Sequence, residues 1–479
     1  MARKQGRRVR DAVGTPSGIV AIVGRPNVGK STLFNRLIGE RRAIVDEFAG
    51  LTRDRLYGVT EWGGRAFTVV DTAGLVPEVL RNPARGDEIA SAAQAQARAA
   101  MAEADVCCFM VDVRDGVTPV DLEVAAIMRQ GTTPVVLVGN KADSHLDPYF
   151  SHELFSLGLG EPFLISALQG KDTGDLLDQV VSLLPPQQSG EEKAGIPAWE
   201  WEEGDVSDAR DAPDRGMSVA IVGRPNVGKS SLLNRLLGEE RSTVSNIPGT
   251  TRDTVDTVLV HDGRRIRLVD TAGIRRRGVV TTDIEHYSLL RSMRAIERAE
   301  VVLLVVDSNE GVVVQDRHIA GYAVDAGKGV VVVANKWDLL DEEKRSDKLF
   351  RPNMQQMFDF IPDVPVLTVS ALTGRHSTAV LDAAVKVGDA RKFRIPTSAL
   401  NNAIRRAVEE HPPRVHKGLR LKILYAAQAA ASRPTIVLFV NDPEQMHFAY
   451  ERYLENRLRQ EFGFAGTRLR FVLRKRGQE

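Results

Sequence analysis

The sequence has little of what marks secreted and membrane proteins. Only two of its 479 residues are cysteines, Cys107 and Cys108, and adjacent residues of this kind cannot easily bridge each other. A chain without a disulfide framework is typical of a reducing compartment. No apolar run reaches the roughly eighteen residues that a transmembrane helix needs. The basic first residues are not followed by the apolar stretch of a secretory signal. We therefore expect a cytoplasmic protein without a membrane partner.

The formal net charge is +1, so the overall charge says nothing about partners. Apolar residues make up 43% and charged residues 27% of the chain, as in an ordinary globular protein. The length alone suggests about three domains, each able to bury a sizeable core.

The chain contains a copy of itself. Residues 22–32 read IVGRPNVGKST and residues 221–231 read IVGRPNVGKSS. A constant offset of 199 residues separates Lys30 from Lys229, Thr52 from Thr251 and Asp71 from Asp270. The offset drifts later in the copies, so the sequence indicates a duplicated domain with insertions in its later loops, rather than a solenoid.

Short runs rich in valine and isoleucine alternate with helical patterns in both copies. This alternation predicts an α/β fold, a mostly parallel sheet covered by helices on both faces. The predicted strands are Ile19–Val23, Ala66–Val70, Val106–Val111 and Val135–Val138 in copy one, and Val219–Val222, Ile266–Val269, Val301–Val306 and Val330–Val333 in copy two.

The remaining segments differ from the copies in composition. Residues 187–215 hold nine acids and three bases, which predicts a flexible acidic linker, although Trp199 and Trp201 leave docking open. Residues 386–479 carry 19 Lys/Arg against 9 Asp/Glu and alternate helices and strands, so we expect a small basic α+β domain. The predicted limits are a basic tail (1–17), domain 1 (18–186), the linker (187–215), domain 2 (216–390) and the basic domain (391–479).

Each copy carries a phosphate-binding loop (P-loop) between a strand and a helix. Its glycines let the backbone wrap around phosphates, and its N–H groups point at them. The lysine places its charge between the β- and γ-phosphates, and the serine offers its hydroxyl to Mg²⁺. The predicted residues are Gly24, Arg25, Pro26, Asn27, Val28, Gly29, Lys30, Ser31 and Thr32, and Gly223, Arg224, Pro225, Asn226, Val227, Gly228, Lys229, Ser230 and Ser231.

A second motif selects the base. In NKAD and NKWD, a carboxylate after a strand accepts hydrogen bonds from the guanine N1–H and 2-amino groups. Adenine would leave that carboxylate buried and unpaired, which disfavours it strongly. A backbone N–H of each Ser-Ala pair is expected to hold the guanine O6. The predicted residues are Asn140, Lys141, Asp143, Ser166 and Ala167, and Asn335, Lys336, Asp338, Ser370 and Ala371.

A third motif, DTAG, closes a strand in each copy. Its aspartate supports Mg²⁺ and its glycine N–H senses the γ-phosphate. Thr52 and Thr251 precede it at identical offsets and are the candidate second Mg²⁺ ligands. The predicted Mg²⁺ residues are Ser31, Thr52, Asp71, Ser230, Thr251 and Asp270, and the motif adds Thr72, Ala73, Gly74, Thr271, Ala272 and Gly273. The motifs together predict binding of GTP and GDP, and hydrolysis of GTP that depends on Lys30, Thr52, Gly74, Lys229, Thr251 and Gly273.

Neither copy has a glutamine after DTAG to orient the attacking water. Leu75 and Ile274 stand there instead, so unaided hydrolysis is expected to be slow. Asn27 and Asn226 suggest an alternative, because in related GTPases a P-loop asparagine helps hold a K⁺ ion beside the γ-phosphate. A purely structural role for these asparagines remains the competing interpretation.

The motifs match the Era-like branch of GTPases, and two such domains followed by a basic α+β domain resemble the Der (EngA) family. The runs at Leu419–Gln428, Leu438–Phe464 and Ile274–Ala299 are similar to that family as well. The resemblance covers nearly the whole chain. It implies a KH-like closing domain and a bacterial factor that acts in assembly of the large ribosomal subunit, with that subunit and rRNA as partners. We expect a monomer that does not bind DNA.

A typical KH domain clamps RNA with a GxxG loop between helices. Gly463–Gly466 has this pattern but follows the last helix, so we interpret it as a helix end and turn. RNA contact is then expected from the basic surface, unless that surface only meets acidic protein or solvent. Three alternatives are a tRNA-modification GTPase, a signalling or membrane-remodelling GTPase, and a non-hydrolysing structural module. The first would need extra catalytic domains and usually a C-terminal cysteine, the second a lipidation motif or an amphipathic anchor, and we find none of these in the sequence. Two intact sets of motifs disfavour the third.

Overall fold

The computed structural model describes most of both copies and of the closing domain. The described residues are 16–39, 57–72, 94, 97–98, 100–143, 153–186, 216–238, 245–248, 255–271, 274, 288–341, 345–416, 419–429 and 433–475. Most of the predicted tail, the acidic linker with both tryptophans, and Thr52 and Thr251 lie outside them. By backbone contacts the chain divides into two compact units, one with the described residues of 13–187 and 278–297, the other with those of 188–277 and 298–479.

Copy one forms a six-stranded sheet in the order β2-β3-β1-β4-β5-β6. Only β2 runs antiparallel to its neighbour β3, and the other pairs are parallel. The elements are β1 (Ile19–Val23), α1 (Lys30–Gly39), β2 (Tyr57–Trp62), β3 (Arg65–Asp71), β4 (Val106–Asp112), α2 (Pro119–Gln130), β5 (Val135–Asn140), β6 (Phe163–Leu164) and α3 (Thr173–Leu183).

The central strands of this sheet are apolar on both faces because helices cover both. Every residue of β1 and of β4 is buried. Cys107 and Cys108 lie in β4, where burial raises the pKa of both thiols and leaves them unreactive. The helix α2 begins with a capping box, in which Thr118 and Asp121 each accept from the other's backbone N–H.

Copy two forms a seven-stranded sheet in the order β13-β12-β11-β7-β10-β9-β8. Its β8 and β9 extend the antiparallel edge, while β10, β7, β11, β12 and β13 are parallel. The elements are β7 (Met217–Val222), α4 (Lys229–Gly238), β8 (Ser245–Pro248), β9 (Val255–His261), β10 (Arg264–Val269), α5 (Ser288–Arg298), β11 (Val301–Asp307), α6 (Val314–Asp325), β12 (Gly329–Asn335), α7 (Asp347–Met357), β13 (Val366–Thr368) and α8 (Ser377–Lys392).

The closing domain is a mixed three-stranded sheet in the order β16-β17-β18, with two helices on one face. Strand β17 pairs antiparallel with β16 and parallel with β18. The elements are α9 (Thr397–Glu410), β14 (Val415–His416), β15 (Leu419–Arg420), β16 (Ile423–Ala429), β17 (Thr435–Val440), α10 (Phe448–Phe462) and β18 (Arg470–Lys475).

All eight predicted strands of the copies are confirmed, and so is the fold class. Gly463 ends α10 with a positive φ of 91°, and its N–H donates to the Arg459 carbonyl at 2.8 Å, so the GxxG pattern is a helix end. The structure adds a short pairing between β14 and β15 immediately before β16. No helix among the described residues is long and apolar enough to cross a bilayer.

Candidate nucleotide-binding sites

The P-loop of copy one turns sharply between β1 and α1. Gly24, Asn27 and Gly29 have φ values of 155°, 66° and 98°, in the region that disfavours most side chains. A Cβ at Gly24 would collide with the Met110 carbonyl of β4, and a Cβ at Gly29 would collide with the Asn140 side chain. The glycines therefore let the loop approach the sheet more closely than any residue with a Cβ would allow.

Lys30 is folded into this loop. Its Nζ donates to the carbonyls of Gly24 at 2.6 Å and of Arg25 at 2.8 Å, and the residue is only 5% exposed. Burial lowers the pKa of Lys30 to about 8, against the attraction of Asp71. A polyphosphate inside the loop would supply the negative charge that a buried ammonium otherwise lacks.

The predicted Mg²⁺ residues of copy one are brought together. The Ser31 hydroxyl donates to the Asp71 carboxylate at 2.6 Å, and Asp71 is buried at the end of β3. A hydroxyl and a carboxylate are the hard oxygen ligands that Mg²⁺ prefers, so this pair fits the ion. Thr52, Ala73 and Gly74, which belong to the same prediction, lie outside the described residues. Thr72 donates to the Ile22 carbonyl at 2.6 Å and so ties β3 to β1.

Asn140 joins the phosphate-binding and base-binding halves of the site. Its Nδ2 donates to the Val28 carbonyl at 2.7 Å, and its Oδ1 accepts from the Ala167 N–H at 2.9 Å. Both bonds are buried. One side chain therefore fixes the P-loop against the Ser166-Ala167 turn.

The Asp143 carboxylate lies beside this turn and already has polar partners. It accepts from the Ser166 hydroxyl and from the Arg114 guanidinium, the latter at 2.5 Å. The preceding Lys141 has a φ of 70°, and its ammonium pairs with Asp112 at the end of β4. The predicted base-binding residues of copy one therefore converge at the carboxyl ends of β4, β5 and β6, where ligands bind in open parallel sheets.

Copy two repeats this geometry for the phosphate and base groups. Gly223, Asn226 and Gly228 have φ values of 146°, 62° and 94°. The buried Lys229 Nζ donates to the Gly223 carbonyl at 2.8 Å. Asn335 donates to the Val227 carbonyl at 2.9 Å and accepts from the Ala371 N–H at 3.0 Å. Lys336 has a φ of 62° and pairs with Asp307 at 2.6 Å, while Ser370 accepts from the Thr373 N–H at 3.1 Å.

The Mg²⁺ residues of copy two are arranged differently. The Ser230 hydroxyl donates to the Ile274 carbonyl at 2.8 Å, whereas in copy one the equivalent hydroxyl donates to the aspartate. Asp270 has a left-handed φ of 56°, and its N–H donates to the Asp256 carboxylate at 3.2 Å. The Arg298 guanidinium holds both oxygens of Asp256, at 2.8 and 3.0 Å. Thr251, Ala272 and Gly273 lie outside the described residues.

The base-binding carboxylate of copy two also differs from its counterpart. Asp338 lies in a short 3-10 helix (Trp337–Leu339), and its main-chain carbonyl accepts from Arg345 at 2.7 Å. In the described part of the chain, no ion pair to its side chain matches the one between Arg114 and Asp143. The position equivalent to Arg114 is Asn309, which has no charge to offer.

Three acidic groups near the sites were missed by the sequence reasoning. Two of them pair with the predicted P-loop arginines: Asp115 with Arg25 at 2.7 Å, and Asp316 with Arg224 at 3.1 Å. Burial raises the pKa of Asp316, although the Val313 N–H and Arg224 oppose this effect. Asp256 is the third group. The sequence signal for Asp256 is a difference between the copies, because the offset of 199 residues aligns this aspartate with Tyr57 in copy one.

Family comparisons agree with this division of the chain. Residues 19–141 and 218–336 match a family model described as "50S ribosome-binding GTPase". Residues 394–474 match a model described as the C-terminal KH-domain-like region of EngA bacterial GTPase enzymes.

Full-length relatives decide the family. GTPase Der of Herpetosiphon aurantiacus is 50% identical over 462 residues, which covers 96% of this chain and 97% of the relative. The chain belongs to the Der family of GTPases. GTPase Der of Moorella thermoacetica is 49% identical and covers 97% of this chain and 100% of the relative, and GTPase Der of Chloroflexus aggregans is 49% identical, with 96% and 98% covered. As a Der-family GTPase, the chain binds GTP and GDP and hydrolyses GTP, and its closing domain is KH-like.

Proposed function

We propose that this Der-family GTPase acts in maturation of the large ribosomal subunit as a nucleotide-dependent switch. The supporting observation is the combination, in one chain, of two sites that both keep phosphate-binding and base-binding side chains in contact, followed by a positively charged KH-like domain. The family description as a 50S ribosome-binding GTPase supports the same partner. GTP in one or both sites would then change which surface meets rRNA.

The proposed roles of the site residues follow the geometry of each loop. Lys30 and Lys229 neutralise the β- and γ-phosphates, the P-loop N–H groups hold the phosphate oxygens, and Asp143 and Asp338 accept from guanine. The N–H groups of Ala167 and Ala371, which donate to Asn140 and Asn335 in this structure, stay the predicted contacts of the guanine O6. Gly74 and Gly273 stay predicted γ-phosphate contacts.

Mg²⁺ is the proposed cofactor of both sites. Ser31 and Asp71 would hold it in copy one, and Ser230 and Asp270 in copy two, with Thr52 and Thr251 as predicted further ligands. Bound there, the ion would neutralise charge on the β- and γ-phosphate oxygens. The 2.6 Å contact between Ser31 and Asp71 supports this assignment, because both oxygens already point at one position.

K⁺ is the proposed activating ion, and Asn27 and Asn226 are its proposed ligands. Both asparagines have a left-handed φ, 66° at Asn27 and 62° at Asn226. Ile274, at the position where related GTPases have a glutamine, is apolar and 8% exposed, so it cannot orient a water. A cation beside the γ-phosphate would stabilise the charge that develops there.

Hydrolysis rates in matched KCl and NaCl buffers test this proposal. We expect a rate about tenfold or more higher in K⁺, since removal of one electrostatic contact of this kind typically costs a factor of about 100 or more. Asn27→Ala together with Asn226→Ala should remove the difference, while the structural variant Thr32→Ser should keep it. Equal rates of the unchanged protein in both salts would reject the ion.

The ribosomal role is tested by sedimentation of the protein with separated ribosomal subunits. The protein is loaded with GDP or with a non-hydrolysable GTP analogue, and its amount in the large-subunit fraction is measured. We expect binding to the large subunit in one nucleotide state at least and little binding to the small subunit. Absence from the large-subunit fraction in every state would overturn the proposal.

The remaining features of the proposal concern the protein as a whole. We propose a monomer that acts in the cytoplasm, without DNA or membrane partners. We also propose domain limits at 18–186, 216–390 and 391–479, with residues 1–17 as a tail and 187–215 as a linker. Limited proteolysis followed by mass determination of the fragments would test these limits.

A further inference from the structure

One face of the closing domain's sheet is covered and the other is open. The helices α9 and α10 pack on the covered face, where Ala426, Ile436, Leu438 and Val440 are fully buried. Side chains alternate between the two faces of a strand, so the intervening residues lie on the other face. There, Tyr425 is 45% exposed.

The open face presents an aromatic pair. Tyr425 and Phe439 are directly opposite each other on β16 and β17, and their ring centroids are 5.9 Å apart. Phe439 is in turn opposite Arg474 on β18. These three side chains form one row across the sheet, which we call the aromatic row. Leu424, at the irregularity between Ile423 and Tyr425, is 46% exposed beside it.

Four basic residues lie at one end of this sheet. Lys422 and Arg420 are held to Asn441, since the Lys422 N–H donates to Asn441 Oδ1 at 2.8 Å and Asn441 Nδ2 donates to the Arg420 carbonyl at 3.0 Å. Asn441 follows Val440, whose partner on β18 is Lys475. The sheet-end cluster is Arg420, Lys422, Arg474 and Lys475, and all four are exposed. Arg474 is opposite Phe439 and shares the open face, whereas Lys475 is opposite Val440 and leaves its strand on the covered side, at the end of the sheet.

The charge of this cluster is not neutralised within the described part of the chain. No carboxylate there lies within 4.0 Å of any of its four side chains. By contrast, bases on the helices are paired: Arg406 with Glu461 at 2.5 Å and Arg457 with Glu410 at 2.6 Å.

Two acids follow Asn441 in the chain, and one of them is engaged locally. The Asp442 carboxylate accepts from the Glu444 N–H at 3.1 Å and from Gln445 Nε2 at 3.0 Å, so it caps the turn that follows β17. Glu444 is exposed. Four bases against these two acids leave the sheet end positive.

We propose that this open sheet face binds single-stranded RNA, with an unstacked base on the aromatic row and phosphates on the sheet-end cluster. Sequence-tolerant binding of single strands combines aromatic platforms with a positive groove along the backbone. The Gly463–Gly466 segment, being a helix end, takes no part. This inference rests on the proposed ribosomal function and names the RNA-binding surface that this function needs.

The first experiment removes the aromatic ring and keeps the apolar volume. Full-length Tyr425→Leu is compared with wild type for binding of a short fluorescein-labelled oligouridylate, measured by anisotropy. We expect affinity to fall about tenfold, and Tyr425→Phe to keep wild-type affinity, because stacking needs the ring and not the hydroxyl.

A matched control is available on the covered side of the domain. Phe393 is 43% exposed, and its ring packs against Phe464, a residue of the core beneath the helices. Phe393→Leu should leave RNA affinity unchanged. An equal loss in Phe393→Leu and Tyr425→Leu would overturn the assignment of the surface.

The second experiment measures the charge contacts. The slope of the logarithm of affinity against the logarithm of salt concentration should fall by about 0.7 for Lys422→Gln and again for Arg474→Gln. Arg406→Gln, which removes a base paired with Glu461, should leave the slope unchanged. Equal slopes in all variants would overturn the proposed phosphate contacts.

Further outcomes distinguish a failure of the proposed RNA-binding surface from a failure of the proposed ribosomal function. If polyglutamate binds as tightly as the oligouridylate and Tyr425→Leu affects neither, the face is a site for acidic protein and the inference is wrong. If wild type sediments with the large subunit and Tyr425→Leu binds RNA like wild type, the inference fails while the ribosomal function stands. Wild type that never sediments with the subunit overturns the ribosomal function itself.

Discussion

The two nucleotide sites share their motif residues but differ at the Mg²⁺ side. In copy one, Ser31 and Asp71 are in direct contact, and in copy two Ser230 contacts Ile274 while the Asp270 backbone is held by Asp256. The predicted Mg²⁺ residues are the same serine and aspartate in both copies, so the difference comes from a residue outside the motifs. Duplication has therefore kept the chemistry of the sites, and the surroundings of the Mg²⁺ aspartate distinguish them.

The largest expected effect is a change of base preference at one site at a time, which allows each site to be measured separately. Asp143→Asn should convert site 1, and Asp338→Asn site 2, from guanine to xanthine nucleotides, with a loss of GTP affinity of about a thousandfold at the altered site. The reason is that the carboxamide presents an N–H donor to the guanine donors. Binding of fluorescent GTP and XTP analogues measures the change.

The unaltered site of each variant is the control for that experiment. It should keep wild-type GTP affinity, so each variant retains one GTP site and gains one XTP site. GTP binding that stays at two sites in both variants would show that these aspartates do not read the base.

The second expected effect tests the arrangement around Asp270. In the Asp143→Asn background, with XTP in site 1, Arg298→Gln should lower the Mg²⁺ concentration needed to retain GDP in site 2, by about fivefold. The guanidinium holds both Asp256 oxygens, and without it the Asp270 backbone is freer to bring its carboxylate to Ser230. A hydrogen bond to a charged group contributes about 1.5–3 kcal/mol, and we expect part of this free energy to appear as the fivefold change in Mg²⁺ concentration. GDP release during Mg²⁺ titration is the measurement.

Copy one supplies the comparison for this effect. The equivalent of Asp256 there is Tyr57, so the Mg²⁺ dependence of XTP release from site 1 should be the same with and without Arg298→Gln. A parallel shift at both sites would indicate a general loss of stability. An unchanged dependence at site 2 would show that Asp256 does not restrain Asp270.

The smallest expected effect concerns the base-binding carboxylates. Arg114→Gln should raise the GTP affinity of site 1 by about twofold to fivefold, because guanine no longer displaces a cation from Asp143. The arginine side chain is 59% exposed, and exposed ion pairs contribute only about 0–1 kcal/mol. Calorimetric titration of the Asp338→Asn variant with GTP isolates site 1, and the gain should shrink at high salt. A loss of affinity would mean that Arg114 holds Asp143 in its binding position.

The sequence predicted contacts between residues of one motif and missed contacts between residues that are far apart along the chain. The P-loops, the NKxD motifs and the strands before them are local sequence patterns, so the sequence predicts them well. Few residue types other than glycine can stand where the loop approaches β4, and few sequences other than an apolar run can form a fully buried strand. The contact of Asp143 with Arg114 and that of Asp270 with Asp256 join residues that no motif links. Tyr57 and Asp256 had the same offset as the recognised pairs, but nothing in the residue types showed that one would reach the Mg²⁺ side.

In the closing domain, the sequence did not show which strands pair with each other. The apolar run from Leu419 has the pattern of one strand, and the structure divides it, because Leu419–Arg420 pairs with Val415–His416 before β16 begins. Hydrophobic pattern alone cannot show which neighbour a strand end will choose. The position of the aromatic row also depends on that pairing, so it became visible only in the folded sheet.

The two buried bonds of Asn140, and the equivalent bonds of Asn335, have a consequence for how the copies can evolve. Each amide joins the loop for phosphates to the loop for guanine through two bonds between protein atoms. These bonds fix the spacing of the two loops within the fold, so ordering these loops costs little of the binding energy of a nucleotide. Residues around the Mg²⁺ side can then differ between the copies and change the rates of hydrolysis and release, while recognition of the nucleotide stays the same.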